Sequence, residues 1–398
     1  MQKKRILYFM PYLSLDDTAG NKTRVISVLR YLKDRNFEID YFGVKDWIPW
    51  TGDNVEKMLA TGLVDRVFVG ERHVDRSKTL KRLFCYKIPE LIKEKIYGVD
   101  GYGLNSAASF YLCKQFNKVL QENTYDYVLV NYSLWANLIR TKEYTKNAKT
   151  IIDTHDFITF QVYKNGKRKV LGRTITEEVK RLNYADEVWA ISVDEQYVFT
   201  QLLDSKVQLV PVIIPPNNLA TAKATSQPKK YDLIYVASAN DFNKESARWF
   251  IEKVHPLLPQ HLSICIVGKV TEHIKDRPNI EKIDYIENLG ELYQQSKLVI
   301  CPMLQGTGLK IKVVEAMAHG LPVVCTLRGI DGLPNKINNG CLVCETPEEF
   351  AENILKVLAD KELYNKLAKE GNDLYQNFFT LETRYKSLDA IFGITPGK

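Results

Sequence analysis

The chain has 398 residues, of which 45% are hydrophobic and 26% charged, with a net charge of +7. This composition excludes a disordered or fibrous chain and leaves room for two or three domains. No apolar run approaches the roughly 20 residues needed to cross a bilayer. The whole +7 falls in residues 1–215, because basic and acidic residues balance over 216–398. The N-terminal half therefore suits an anionic partner such as a membrane surface or an acidic acceptor; no nucleic-acid motif is present.

The start, MQKKRILYFMPYLSL, is basic and then apolar. It has no small-residue cleavage site, so Arg5–Met10 reads as a first buried strand rather than a leader. Strands are then predicted at Glu38–Phe42, Arg66–Val69, Tyr127–Asn131, Thr150–Asp153, Glu187–Ile191 and Val207–Val210, each separated by helical stretches. After the Pro-, Asn-, Ser- and Thr-rich stretch 211–230, strands follow at Leu233–Ala237, Leu262–Val267, Leu298–Cys301, Pro322–Cys325 and Cys341–Val343. Buried runs alternating with helices imply an α/β chain with parallel sheets covered on both faces. The expected division is residues 1–212, a linker at 213–230, a second domain at 231–376 and a C-terminal helix at 377–398. Thr380 is the expected N-cap of that helix. Two such doubly wound domains would face a cleft at the carboxyl ends of their strands, where these folds bind ligands.

Seven cysteines, an odd number lying mostly in apolar strands, indicate a reducing, cytoplasmic compartment. Cys341 and Cys344 form a lone C-x-x-C with no second pair, which reads as core packing rather than a metal site. Residues 78–97 mix six basic residues with Leu, Ile, Phe and Tyr. The segment reads either as an interfacial element for anionic lipid or as an ordinary amphipathic surface helix, interrupted at Pro89.

The most informative stretch runs from Gly306 to Val324, GTGLKIKVVEAMAHGLPVV. A Gly-rich turn opening a helix aims free N–H groups at one spot and makes it positive. Gly306, Thr307, Gly308 and Leu309 supply that turn, and Lys310 and Lys312 add full charge. Glu315 lies about two turns further in, where a carboxylate suits sugar hydroxyls instead. The same pattern also occurs in α/β proteins without such a site, and either lysine read alone is a solvated helix charge.

This segment resembles the donor-site signature of retaining glycosyltransferases of the GT-B fold, the large family of glycosyl transferases group 1 (family four). The likeness extends over most of the chain. It implies two Rossmann-like domains and a nucleotide-diphosphate sugar as donor substrate, with neither a cofactor nor a metal. It places Ser238, Asn243 and Lys244 in the loop and helix start that face the diphosphate, Val270 beside the base, and Glu315 on the ribose. Lys310 is the expected stabiliser of the leaving group, on the argument that Lys312 lies roughly 200° further round a regular helix. In DTHDF, the resemblance puts His155 at the active-site histidine. Gly20, Asn21 and Arg24, after the first strand with Asp16 and Asp17, lie on the loop that faces the acceptor. Arg24 equally suits a helix surface, and the last helix either crosses back to the first domain or simply ends the second. This sequence has Thr307 where the family's first motif glutamate stands, and no arginine in the Ser238 loop.

The implied activity is transfer of a sugar to a glycan or lipid-linked acceptor in cell-surface polysaccharide synthesis. It would take place in the cytoplasm, peripherally on the inner membrane face. A nucleotide-sugar epimerase of the same fold and a non-catalytic nucleotide-sugar-binding partner subunit are the alternatives. A dehydrogenase is disfavoured because no G-x-G-x-x-G follows Arg5–Met10.

Overall fold

Continuous apolar strands need cover on both faces, and the computed structural model supplies it in two α/β units. It describes residues 3–395 apart from Ser14, 16–19, 46–49, Thr51, 75–76, Lys78, Glu90, 93–106, 165–170, 213–228 and Thr307. The first unit spans Met1–Pro211 and the second Val212–Lys398. The expected linker lies almost wholly outside the described residues.

The first unit carries β1 (Arg5–Phe9), β2 (Glu38–Val44), β3 (Arg66–Gly70), β4 (Tyr127–Asn131), β5 (Lys149–Asp153), β6 (Glu187–Ala190) and β7 (Lys206–Leu209). They form one parallel sheet in the order β3-β2-β1-β4-β5-β6-β7. Helices that matter below are α1 (Gly20–Asp34), α2 (Ile158–Lys164), α3 (Leu171–Leu182) and α4 (Val193–Leu202).

The second unit carries β8 (Tyr231–Val236), β9 (Ile264–Val267), β10 (Ile280–Ile283), β11 (Ser296–Cys301), β12 (Val323–Thr326) and β13 (Cys341–Cys344). These are again parallel, in the order β10-β9-β8-β11-β12-β13. Around this sheet lie α5 (Asp241–Trp249), α6 (Leu289–Gln294), α7 (Ile311–Ala318), α8 (Lys361–Phe378) and α9 (Leu381–Phe392). Alternate strand residues enter opposite cores. Ile234, Cys265, Val299 and Cys301 join the core that includes Val313 and Met317. Leu233, Ile264, Ile266, Leu298 and Ile300 join the core on the other face, with Phe250 and Phe350. This two-sided burial is why the strands read as unbroken apolar runs.

β10 was not predicted. Its sequence IEKI leaves both central residues exposed on the outer edge of the sheet, so it lacks an apolar run. Thr380 does cap α9, accepting from the Thr383 amide.

Strand addition reverses direction between β1 and β4, and again between β8 and β11. Loops at the carboxyl ends of such neighbouring strands splay apart and leave a crevice. Both crevices contain residues singled out from the sequence.

Candidate functional site

In the second unit the crevice lies between the loops that follow β8 and β11. Asn240 caps α5 by accepting from the Asn243 amide at 2.8 Å. The buried Asn243 side chain donates to Ser238 Oγ at 3.0 Å, so its carbonyl oxygen faces the other way. There Lys312 Nζ donates to Asn243 Oδ1 at 3.3 Å. The ammonium also lies 3.9 Å from Met303 Sδ and 5.0 Å from the centre of the Tyr235 ring. Burial lowers the Lys312 pKa. Its side chain is half-buried overall, its charged end being the enclosed part. Ser238, Asn243 and Lys312 are thus brought together across the switch point. The loop after β11 is also tied to α5: Leu304 N donates to Ser246 Oγ at 3.2 Å, and Gln305 Nε2 to Glu245 at 3.1 Å.

Lys310 is the extended N-cap residue of α7, so the argument from a regular helix does not apply to it. It is 7% exposed, and its ammonium donates to Gly308 O at 2.8 Å. Gly306 and Gly308 have φ of +99° and +75°, the left-handed region that glycine enters at little cost. The turn is therefore built by its glycines and braced by Lys310. Thr307 lies outside the described residues. Leu309 packs against the core beside it.

Glu315 is 6% exposed, and its Oε2 accepts from the Tyr293 hydroxyl at 2.9 Å. Tyr293 in turn stacks on His319, with ring centres 5.1 Å apart. Tyr293, on α6, was not anticipated; no motif links it to Glu315, only the fold. Lys244 lies 3.5 Å from Asp241 in its own helical turn. Val270 is fully buried in the core, so only its backbone can face a ligand. Gly268 has φ +101°, and a Cβ there would sit 2.4 Å from Ala237 O; this close approach joins the β8 and β9 loops.

In the first unit, Tyr12 after β1 and Tyr132 after β4 meet hydroxyl to hydroxyl at 2.7 Å. Asn21 Nδ2 donates to Tyr132 at 3.1 Å and also to Tyr12. These tyrosines were not singled out from the sequence, because nothing local marks them; the β1/β4 reversal brings them to Asn21. Gly20 opens α1, while Asp16 and Asp17 lie outside the described residues.

Arg24 corrects its expected role. It is 1% exposed, and its guanidinium grips the buried Asp153 carboxylate, with Nη2 to Oδ1 at 2.7 Å and Nε to Oδ2 at 2.8 Å. A further bond reaches Val210 O. Arg24 is therefore neither a surface charge nor a free acceptor contact. It ties α1 to the ends of β5 and β7.

His155, two residues beyond β5, has φ +58°, a strained conformation for a non-glycine residue. It is 4% exposed. Its Nε2 lies 2.6 Å from Asn131 Oδ1 and 3.7 Å from Asp153 Oδ2, and its ring stacks on Tyr132 at 4.4 Å. Tyr132 also has a positive φ, +68°. Burial pushes the His155 pKa down to about 4, against the pull of Asp153; the imidazole is neutral near pH 7. The residues behind it are structural. Glu178 of α3 accepts from the Ile158 and Thr159 amides and holds the start of α2. Ser192 caps α4, and Asp186 holds the Thr150 amide at 2.7 Å.

Among the described residues no group of three or more His, Cys, Asp or Glu is arranged to hold a metal. Cys344 Sγ accepts from Asn353 at 3.3 Å.

Two parallel α/β units with switch-point sites define the GT-B class. The structure of Anabaena HepE in complex with UDP and glucose superposes with a TM-score of 0.65 at 13% identity, covering 98% of this chain and 99% of that one. Residues 230–360 match the family model described as Glycosyl transferases group 1, a stretch that includes the Gly306–Val324 motif. An uncharacterized 44.6 kDa protein in the cps region of Klebsiella pneumoniae is 23% identical over 281 residues, 61% of this chain and 66% of that protein. A probable sucrose-phosphate synthase 1 from Oryza sativa subsp. indica is 41% identical over 64 residues, 15% of this chain and 6% of that protein. The chain therefore spans less than two thirds of the length of either relative.

Proposed function

We propose that the protein is a retaining glycosyltransferase that moves a sugar from a nucleotide-diphosphate sugar to a glycan or lipid-linked acceptor in cell-surface polysaccharide synthesis. The observation that carries this reading is the Lys312 ammonium. It is enclosed at the β8/β11 switch point, and its contacts are neutral: an amide oxygen, a thioether and a ring face. Among the described residues no carboxylate forms an ion pair with it. A desolvated cation with no carboxylate at ion-pair distance, Glu315 acting on it only from further off, favours an incoming anion, and the adjoining Gly306–Gly308 turn and α7 start favour the same charge. A diphosphate leaving group develops negative charge as the sugar departs, which such a cation stabilises. The leaving-group role passes from Lys310, which braces the turn, to Lys312 with Asn243.

Glu315, held by Tyr293, takes the ribose hydroxyls. In the first unit Asp153 is bound by Arg24 and Glu178 by the α2 amides, so neither serves as a nucleophile. Front-face substitution, with retention, fits that arrangement. The match to a protein from a cps region and the UDP and glucose in the HepE structure support the donor and pathway class.

A heat-shift panel of nucleotide sugars, followed by a transferase assay with the donor that stabilises most, tests the proposal. Stabilisation by nucleotide sugars and multiple-turnover transfer are expected. Thr307, in place of the family's first motif glutamate, favours a second reading as a non-catalytic binding subunit. Donor binding without any turnover would support that reading, and turnover without an acceptor would indicate an epimerase.

A further inference from the structure

The two nitrogens of His155 are not equivalent, and the reason lies one strand away. Asn131 ends β4 and is fully buried. Its Nδ2 donates to Phe9 O at 2.7 Å. A carbonyl oxygen can only accept, so the amide NH₂ faces Phe9 and Oδ1 faces His155. Oδ1 also can only accept, so the 2.6 Å contact requires the hydrogen on His155 Nε2. The other acceptor beside Nε2, Asp153 Oδ2 at 3.7 Å, favours the same arrangement. A neutral imidazole carries one N–H, which leaves Nδ1 as a bare lone pair. That atom is buried and has no hydrogen-bond partner.

We propose that Asn131 is a positioning residue that locks His155 in the Nε2–H tautomer, so that Nδ1 can only accept and its ligand partner is a hydroxyl rather than a carboxylate or phosphate oxygen. The chain of constraint is Phe9 carbonyl, Asn131 amide, His155 ring. Its first two members sit on β1 and β4, the strands that flank the switch point, so the tautomer is set by the sheet. Stacking on Tyr132 holds the ring plane, and the Nε2 contact to Asn131 Oδ1 sets which ring edge faces β4. An unsatisfied buried acceptor is costly, and a donor hydrogen brought to it relieves that cost. This inference rests on the glycosyltransferase reading for the identity of the hydroxyl, a sugar hydroxyl, but not for the tautomer.

The test is imidazole ¹⁵N NMR of the full chain. The His155 resonances are assigned by their loss in His155→Gln. The expected pattern is a pyrrole-type Nε2 and a pyridine-type Nδ1. In a folded Asn131→Ala variant, the two shifts should move toward each other as both tautomers become populated. Asn131→Ser, with a shorter side chain, serves if the alanine variant does not fold. A protonated Nδ1 in the wild-type protein overturns the proposal, as does an unchanged tautomer in either Asn131 variant. Because this readout needs no turnover, its failure is distinct from failure of the glycosyltransferase assignment.

Discussion

Lys310 and Lys312 differ in the company they keep, and that difference is testable. Lys312→Ala should lower kcat by about 10²–10³, the usual loss for one electrostatic stabiliser, with the protein still folded. Lys310→Ala should chiefly lower the melting temperature, since it removes a brace from the glycine turn. A larger kcat loss at Lys310 with unchanged stability would reverse the assignment. Glu315→Gln should weaken nucleotide binding by roughly 1.5–3 kcal/mol, the range for a charge-assisted hydrogen bond; calorimetry with the donor found by heat-shift measures it. Glu195 offers a pH test. It is 6% exposed, and its Oε1 has no partner. Burial, and then the nearby Asp156, push its pKa up to about 8. Between the ordinary carboxylate range and pH 8 the folded chain holds a proton that the unfolded chain has lost. Stability should therefore fall as pH rises through that window. Glu195→Gln should flatten the fall and raise the melting temperature at pH 8, which a thermal melt series over pH 5–9 reads directly.

At the scale of elements, the segment after β3 departs from an ordinary surface helix. Thr79–Arg82 is α-helical and Leu83–Lys87 a π-turn. Leu80, Phe84, Leu91 and Ile92 are 74, 63, 58 and 51% exposed. With Arg82 and Lys87 in the same stretch, that composition suits an element lying in an anionic lipid interface. Pelleting with liposomes should rise with anionic lipid and fall with salt, and Leu80→Ser with Phe84→Ser should abolish it. Equal pelleting with neutral vesicles would count against the docking. No helix among the described residues is long and apolar enough to cross a membrane. The strands were the legible part of the sequence because they are buried on both faces. β10 was missed for want of that burial. Lys310 and Lys312 were read on one regular helix because a lysine N-cap carries no capping signal: the Lys310 side chain makes no cap bond.

At the scale of the whole molecule, the proposed leaving-group stabilisation by Lys312 and the α7 start would make divalent metal unnecessary. A transferase assay in chelator should keep most of its rate. Full loss, restored by manganese or magnesium, would contradict that account. Much of the fold and the motif on the second unit were readable because local spacing encodes them: glycines, then lysines, then a glutamate, between two strands. The roles of individual side chains were less readable. Arg24 looked like a free cation until the sheet placed Asp153 beneath it, and Lys310 and Lys312 were ranked on one regular helix of which Lys310 is only the N-cap. Tyr12, Tyr132, Tyr293 and Asn131 carry no local signature; the strand order alone brings them to their partners.

The outer strand β10 has a consequence for how copies of the molecule treat one another. A sheet that ends in open peptide groups can recruit the same edge of a second copy and grow without limit. Here the last strand is four residues long and places Glu281 and Lys282 at its centre. Glu281 pairs with Lys230 at 2.8 Å and Lys282 with Asp276. Stacking a second strand there would strip water from these charges, so the strand that was hardest to recognise also disfavours strand addition at its own edge of the sheet.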